Sequence, residues 1–282
     1  MLDRTAVNPN SGHPCASLSD ELCGDIVTVL GVPRIPGVFS LLEPFGLGEA
    51  WLSLRKYLVS PDAEAAAQVL RQQRLAASPP LIDWRNLYSP GTFEQLRSTV
   101  LSRYEANPRL LLMITLWIEG LSGRLLRGTK QEVYKESDAL PKRTEVNARV
   151  LKDLHIENAL STKILLNEIA AAHSGAELPE DYRLLAAYPE FLRIHWGYLK
   201  THLKSAEYAG LQQKMISQAS VFVQNSSYDF GMDERLLPMR IHSEDCEQAE
   251  TEKARLLELL LLLQNQLAGM VLEIGFIRDS LR

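Results

Sequence analysis

Asp181 and His195 are the side chains whose types and neighbours point most directly to acid–base chemistry, and both fall in the stretch 178–205, LPEDYRLLAAYPEFLRIHWGYLKTHLKS. A carboxylate positioned against a bound water can take its proton, a contribution of about 10² to 10⁴ in rate. Pro189 marks the start of a helix, because proline is tolerated only in the first turn. Within that helix Phe191, Leu192, Trp196, Leu199 and Leu203 recur at spacings of three and four, which places them on one apolar stripe. A shift of 145 residues superposes Pro44, Leu47, Trp51, Leu54, Leu58 and Ser60 on Pro189, Leu192, Trp196, Leu199, Leu203 and Ser205. Those six identities fall in the 17 positions from Pro44 to Ser60, where background composition gives roughly one. The chain therefore reads as a tandem duplication. In the same register Asp181 lies opposite Pro36 and His195 opposite Ala50, so only one copy carries an acid and an imidazole. That asymmetry suits a pseudo-twofold protein with one active site between its halves. Asp181 also suits a second role, capping the short helix that Tyr182-Arg183-Leu184-Leu185 begins.

The elements that must position these residues all read as helices. A helix from Asp20 to Leu30 is stopped by Gly31-Val32-Pro33. A second runs from Pro44 to Ser60, and an alanine-rich third from Asp62 to about Ala77, opened by Pro61. Leu81 to Gly91 reads as an aromatic loop. From Thr92 the spacing of Phe93, Leu96, Val100 and Tyr104 is helical up to Asn107-Pro108, where a stop is expected, and an apolar helix follows from Arg109 to Leu126. The second half repeats the pattern: a helix from about Glu145 to Ala172, the Asp181 stretch, a helix after Tyr208, and a long terminal helix from about Glu247 to Ser280. No stretch alternates as a strand should, so an all-α fold is expected. The divisions are a loose arm over 1–19, a first repeat over 20–126, a basic linker over 127–144, and a second repeat over 145–282.

Composition removes several classes of function. A net charge of −5 opposes general affinity for nucleic acid or anionic membrane, and the basic linker has Tyr134 as its one aromatic, too little for a nucleic-acid surface. Cys15, Cys23 and Cys246 are scattered and odd in number, which points to a reducing compartment. The first 20 residues lack the apolar core of a signal peptide, and Leu256–Leu263 is too short to span a bilayer. A cytoplasmic location is expected. The run Gly123 to Lys130 imitates a phosphate-binding loop with Thr129 and Lys130 transposed. Gly46-Leu47-Gly48 has no strand before it, as a dinucleotide turn requires, and the six histidines form no H-E-x-x-H pair.

The residues from Asp181 to Leu192, followed by Trp196, resemble the D-Y-R-x-L-A-x-[WY]-P-x-[YF]-L-x-x-x-W signature of the group I 2-haloacid dehalogenases. Tyr104-Glu105-Ala106-Asn107-Pro108 is similar to the Y-N-x-x-N-P segment of the same family. The resemblance implies two all-helical repeats forming an intramolecular pseudo-dimer, related to the alkylhydroperoxidase-like helical fold. It implies hydrolytic loss of halide from a short 2-haloacid to give the 2-hydroxy acid, with inversion, no ester intermediate, no cofactor and no metal. Asp181 is the implied base that activates water, and Asn107 matches the asparagine that holds water or substrate. His195 falls at an implied pocket position, and Arg34, after Val32-Pro33 where the family tends to carry an aromatic, puts a charge on the implied pocket wall. Tyr182 is a candidate for substrate binding, with a structural role facing elsewhere as its alternative. Glu180 replaces a residue usually small in the family, and Arg109-Leu110-Leu111 stands where a second asparagine is expected. The expected partners are the 2-haloacid, water and a second copy in a homodimer. The alternative is a non-catalytic helical binding or assembly protein in which Glu180, Arg34 and Leu110 close or repurpose the pocket.

Overall fold

Serine hydroxyls start four of the helices. Ser19, Ser60, Ser89 and Ser205 accept from the backbone N–H of Leu22, Ala63, Thr92 and Tyr208 at 3.1–3.2 Å, each relieving one of the free donors of a first helical turn. The computed structural model describes residues 18–125, 159–173, 178–226 and 246–281. In these, eleven α-helices follow one another: α1 (Asp20–Leu30), α2 (Val38–Leu42), α3 (Leu47–Leu58), α4 (Pro61–Arg71), α5 (Trp84–Leu87), α6 (Pro90–Leu121), α7 (Ala159–Ala172), α8 (Glu180–Leu185), α9 (Pro189–His202), α10 (Ala206–Gln224) and α11 (Cys246–Asp279). Among the described residues there is no strand. The expected linker 127–144 and the opening of the second repeat, 145–158, lie outside the described residues, as does the arm except for Leu18 and Ser19.

The long helices α6 and α11 make the largest helix–helix contact, and α4 and α10 pack against both of them and against each other. α1 and α3 also join α6, and α8 rests on α6 with α7 and α9 beside it. Leu256, Leu260, Leu263 and Leu267 of α11 recur at spacings of three and four and are all buried, so the terminal helix hides one face in the core. Leu261 and Leu262 on its other face stay 42 % and 64 % exposed. The span Glu250–Asp279 is long and apolar enough to cross a bilayer, yet most of its apolar stretch is buried inside the protein, as in a core helix.

Four local expectations are corrected. The helix expected from Pro44 to Ser60 is divided: a 3-10 turn over Glu43–Phe45 ends at Gly46, whose φ of 77° glycine adopts without strain, and α3 begins after it. The alanine-rich helix ends at Arg71 and not near Ala77, and the aromatic loop contains the single turn α5, which Asp83 caps. The stop expected at Asn107-Pro108 does not occur, because α6 runs through Pro108 for 32 residues. A proline inside a helix costs about 3 kcal/mol. Against that, Leu110, Leu111, Leu112, Met113, Ile114, Leu116, Trp117 and Ile118 are all buried by continuing the helix, and each such side chain contributes about 1.5–3 kcal/mol. Two of them already offset the proline.

Candidate active site

One turn of α6 separates Arg103 from Asn107, so both side chains leave the helix on one face. They continue the buried stripe of Phe93, Leu96 and Val100, and at their positions the stripe turns polar. The carboxylate that meets them belongs to Asp181, the second residue of α8. Arg103 donates from Nε to Asp181 Oδ1 at 2.8 Å and from Nη2 to Oδ2 at 3.3 Å, and Asn107 Nδ2 donates to Oδ1 at 3.0 Å. Asp181, Arg103 and Asn107 are 3 %, 6 % and 0 % exposed. A buried carboxylate is tolerated only when paired and hydrogen-bonded, and these two residues do both.

That geometry removes the capping role from Asp181. The residue before α8 is Pro179, and no side chain caps the helix. Asp181 instead reaches across to α6. Burial pushes the Arg103 guanidinium down, but Asp181 first and then Glu180 outweigh it, so it is held above its ordinary value.

Glu180, at a position usually small in the family, is built into the arrangement. Its Oε2 accepts from the Gly37 N–H at 2.9 Å and lies 3.4 Å from Arg103 Nη2, and its Oε1 lies 3.5 Å from Arg34 Nη2. The segment before α2 is thereby fastened to α8. Arg34 has half of its side chain exposed, so its pair with Glu180 contributes about 0–1 kcal/mol. Asn107 Oδ1 is buried with no hydrogen-bond partner among the described residues, an acceptor left unused beside the carboxylate.

Of the residues read from the sequence, Asp181, Asn107 and, through Glu180, Arg34 come together. Tyr182 and His195 hydrogen-bond elsewhere. Tyr182 donates its hydroxyl to Glu273 Oε2, while Tyr208 donates to Glu273 Oε1 at 2.6 Å and His173 Nε2 lies 3.0 Å from Oε2. Glu273 is fully buried, and the node joins α7, α8, α10 and α11. Burial presses His173 down, but the hydrogen bond and charge of Glu273 leave it raised. The same burial and negative charge raise Tyr182 and Tyr208. His195 is fully buried among Phe191 and Trp84, with Nδ1 2.8 Å from the Phe191 carbonyl and Nε2 2.6 Å from Ser280 Oγ. Burial lowers it to about 4, so it is a neutral imidazole at neutral pH.

Arg103 and Glu273 escape the sequence reading. The signal for Arg103 is the polar break in an amphipathic stripe, since Phe93, Leu96 and Val100 call for apolar residues at 103 and 107 and the chain has Arg and Asn. Among the described residues no group of three His, Cys, Asp or Glu side chains converges as a metal site.

No family model matches the chain. A configuration-inverting 2-haloacid dehalogenase from Pseudomonas sp. (strain 113) is 27 % identical over 193 residues, covering 64 % of this chain and 62 % of that protein. Another, from Alcaligenes xylosoxydans xylosoxydans, is 30 % identical over 180 residues, 60 % of each chain. The match thus spans about three fifths of the length of these relatives. Among solved structures, a D-2-haloacid dehalogenase in complex with L-LA aligns with a TM-score of 0.73 at 21 % identity, covering 94 % of both chains. A mutant D-2-haloacid dehalogenase in complex with D-2-CPA aligns at 0.71 and 20 % identity, over 94 % of this chain and 93 % of that one. At such identities the likeness establishes the fold.

Proposed function

From a chain that is a distant homologue of the configuration-inverting 2-haloacid dehalogenases, we propose a hydrolytic dehalogenase of short 2-haloacids. Asp181 takes a proton from water, the water oxygen bonds to the α-carbon opposite the halogen, and halide leaves with the carbon–halogen electron pair. The product is the 2-hydroxy acid of inverted configuration, and Asp181 passes its proton to solvent. The observation that carries this reading is the unused Asn107 Oδ1 beside a buried, paired Asp181. A water between them donates one hydrogen to each oxygen, which turns its lone pair away from both and toward a substrate. Neither a cofactor nor a metal is required for these steps.

The test is halide release from both enantiomers of 2-chloropropionate by the wild type and by Asp181→Asn. Asparagine keeps an acceptor for Arg103 but is a far weaker base, so turnover falls by a factor of about 10² or more while the helical circular dichroism stays. Retained turnover would remove Asp181 as the base and make Glu180→Gln the next variant. The second reading, a binding or assembly protein, is favoured by one observation: Arg103 clasps both Asp181 oxygens. It predicts no halide release from either enantiomer.

The duplication belongs to the same proposal. The order α1, α2, α3, α4, α6 has its parallel in α7, α8, α9, α10, α11, and Ser60 and Ser205 cap their helices alike. Two repeats around α6 and α11 then form the pseudo-dimer, with the base on the second repeat and its partners on the first. A C₂ homodimer is the commonest assembly for such a protein, and the exposed Leu261 and Leu262 of α11 offer it apolar surface. Light scattering tests it, and a cytoplasmic location completes the proposal.

A further inference from the structure

Resting on the dehalogenase reading of the Asp181 site, we propose that Arg103 anchors the substrate's carboxylate through the Nη1–Nη2 end of its guanidinium. A guanidinium can present two parallel N–H donors to a carboxylate along more than one edge. In Arg103 the firm contact is at Nε, 2.8 Å from Asp181 Oδ1. Nη2 makes the longer contacts, 3.3 Å to Asp181 Oδ2 and 3.4 Å to Glu180 Oε2. Nη1 donates to no group among the described residues, although the side chain is only 7 % exposed. The cation therefore holds the base with one edge and keeps an end available.

Charge requires such an anchor. Asp181 and Glu180 both face Arg103, so a 2-haloacid brings a third carboxylate to the site, and like charges at contact distance disfavour one another. Arg34 is half-exposed and solvent-screened, whereas Arg103 is the buried cation in contact with both acids. Connectivity adds a second reason. The carbon under attack is bonded directly to the carboxylate, so anchoring that carboxylate beside the base brings the α-carbon, and not a more distant one, to the water held by Asp181 and Asn107. The Nη2 hydrogen on the Nε edge stays with Asp181, so a carboxylate at the Nη1–Nη2 end takes one hydrogen from Nη1 and the other from Nη2, and the contact it displaces is the 3.4 Å one to Glu180 Oε2.

Binding and turnover of the full chain test this. In Arg103→Gln, KM for 2-chloropropionate and the Kd for lactate, measured by calorimetry, rise about 10- to 100-fold, the range for losing a charge-assisted hydrogen bond. Arg103→Lys recovers part of that loss. The uncharged 2-chloropropionamide binds the wild type at least about 10-fold more weakly than lactate, a comparison that needs no variant to fold. Lactate binding unchanged in either variant, or amide bound as tightly as acid, overturns the anchor. Carboxylate binding that depends on Arg103 with no halide release supports the anchor and removes the hydrolytic reading. Halide release with a KM indifferent to Arg103 does the reverse.

Discussion

Two buried carboxylates lie at the two faces of α8, and they are treated differently. Glu273 is fully buried and accepts from Tyr182, Tyr208 and His173, three donors with few rivals for their hydrogens. Asp181, one residue before Tyr182, is held by Arg103 and Asn107, both of which keep a polar atom with no partner among the described residues. The first is a closed node that fixes helix against helix. The second has hydrogen-bonding capacity to offer a ligand. Burial alone does not mark a site; incomplete satisfaction beside a charge does.

The largest expected effect breaks the closed side. Glu273→Ala leaves two tyrosine hydroxyls and an imidazole without their acceptor at about 1–3 kcal/mol each, so we expect a loss of about 3–9 kcal/mol. In a chain of this size that is a fall of about 10 °C or more in the melting temperature. Glu273→Gln, which keeps acceptor oxygens, loses much less. A melting temperature unmoved in Glu273→Ala would mean that the node holds nothing.

The next effect sharpens the comparison through two histidines of opposite sign. His195, lowered to about 4 from an ordinary value near 6.5, binds a proton in the unfolded chain before it does in the folded one. Its contribution is fully present above about pH 6.5 and is lost as pH falls toward 4, at most about 3 kcal/mol. His173 is raised by Glu273, so its contribution is fully present below its unfolded value and is lost as pH rises through the folded one. Melting temperatures followed from pH 4 to 8 should flatten on the acid side in His195→Gln and on the neutral side in His173→Gln. The same slope in wild type and variant would exclude the histidine concerned.

The smallest effect is at Gly269, where an added Cβ would lie 2.4 Å from the Tyr208 hydroxyl. Gly269→Ala should displace Tyr208 from Glu273 and destabilise by about 1–3 kcal/mol, measurable by urea denaturation, with KM for 2-chloropropionate unchanged.

Much of this was legible in the chain because it is local. Apolar spacing, the proline start at Pro189 and the glycine stop at Gly31 are decided within a few residues, and they placed α1, α9 and α11 close to where they lie. Asp181 and Asn107 stood out by their motifs. Pro108 misled because the rule that ends a helix at proline is local, whereas the burial that carries α6 past it comes from helices far away in sequence. Arg103 and Glu273 were missed for the same reason, since each is defined by a partner 78 or more positions distant. Tyr182 was legible as a residue but not as a direction, because its neighbour Asp181 turns toward α6 while it turns toward α11.

The ion pair between Asp181 and Arg103 closes 78 positions of chain, and this gives it a part in folding. Before α8 reaches α6 both ions are hydrated; docking strips that water, and only the right register returns the loss as a pair. A slip that puts Tyr182 opposite Arg103 breaks the 2.8 Å contact with Asp181, and breaking a buried pair costs about 3–5 kcal/mol. Misdocked arrangements are thus rejected by the same pair that holds the proposed base.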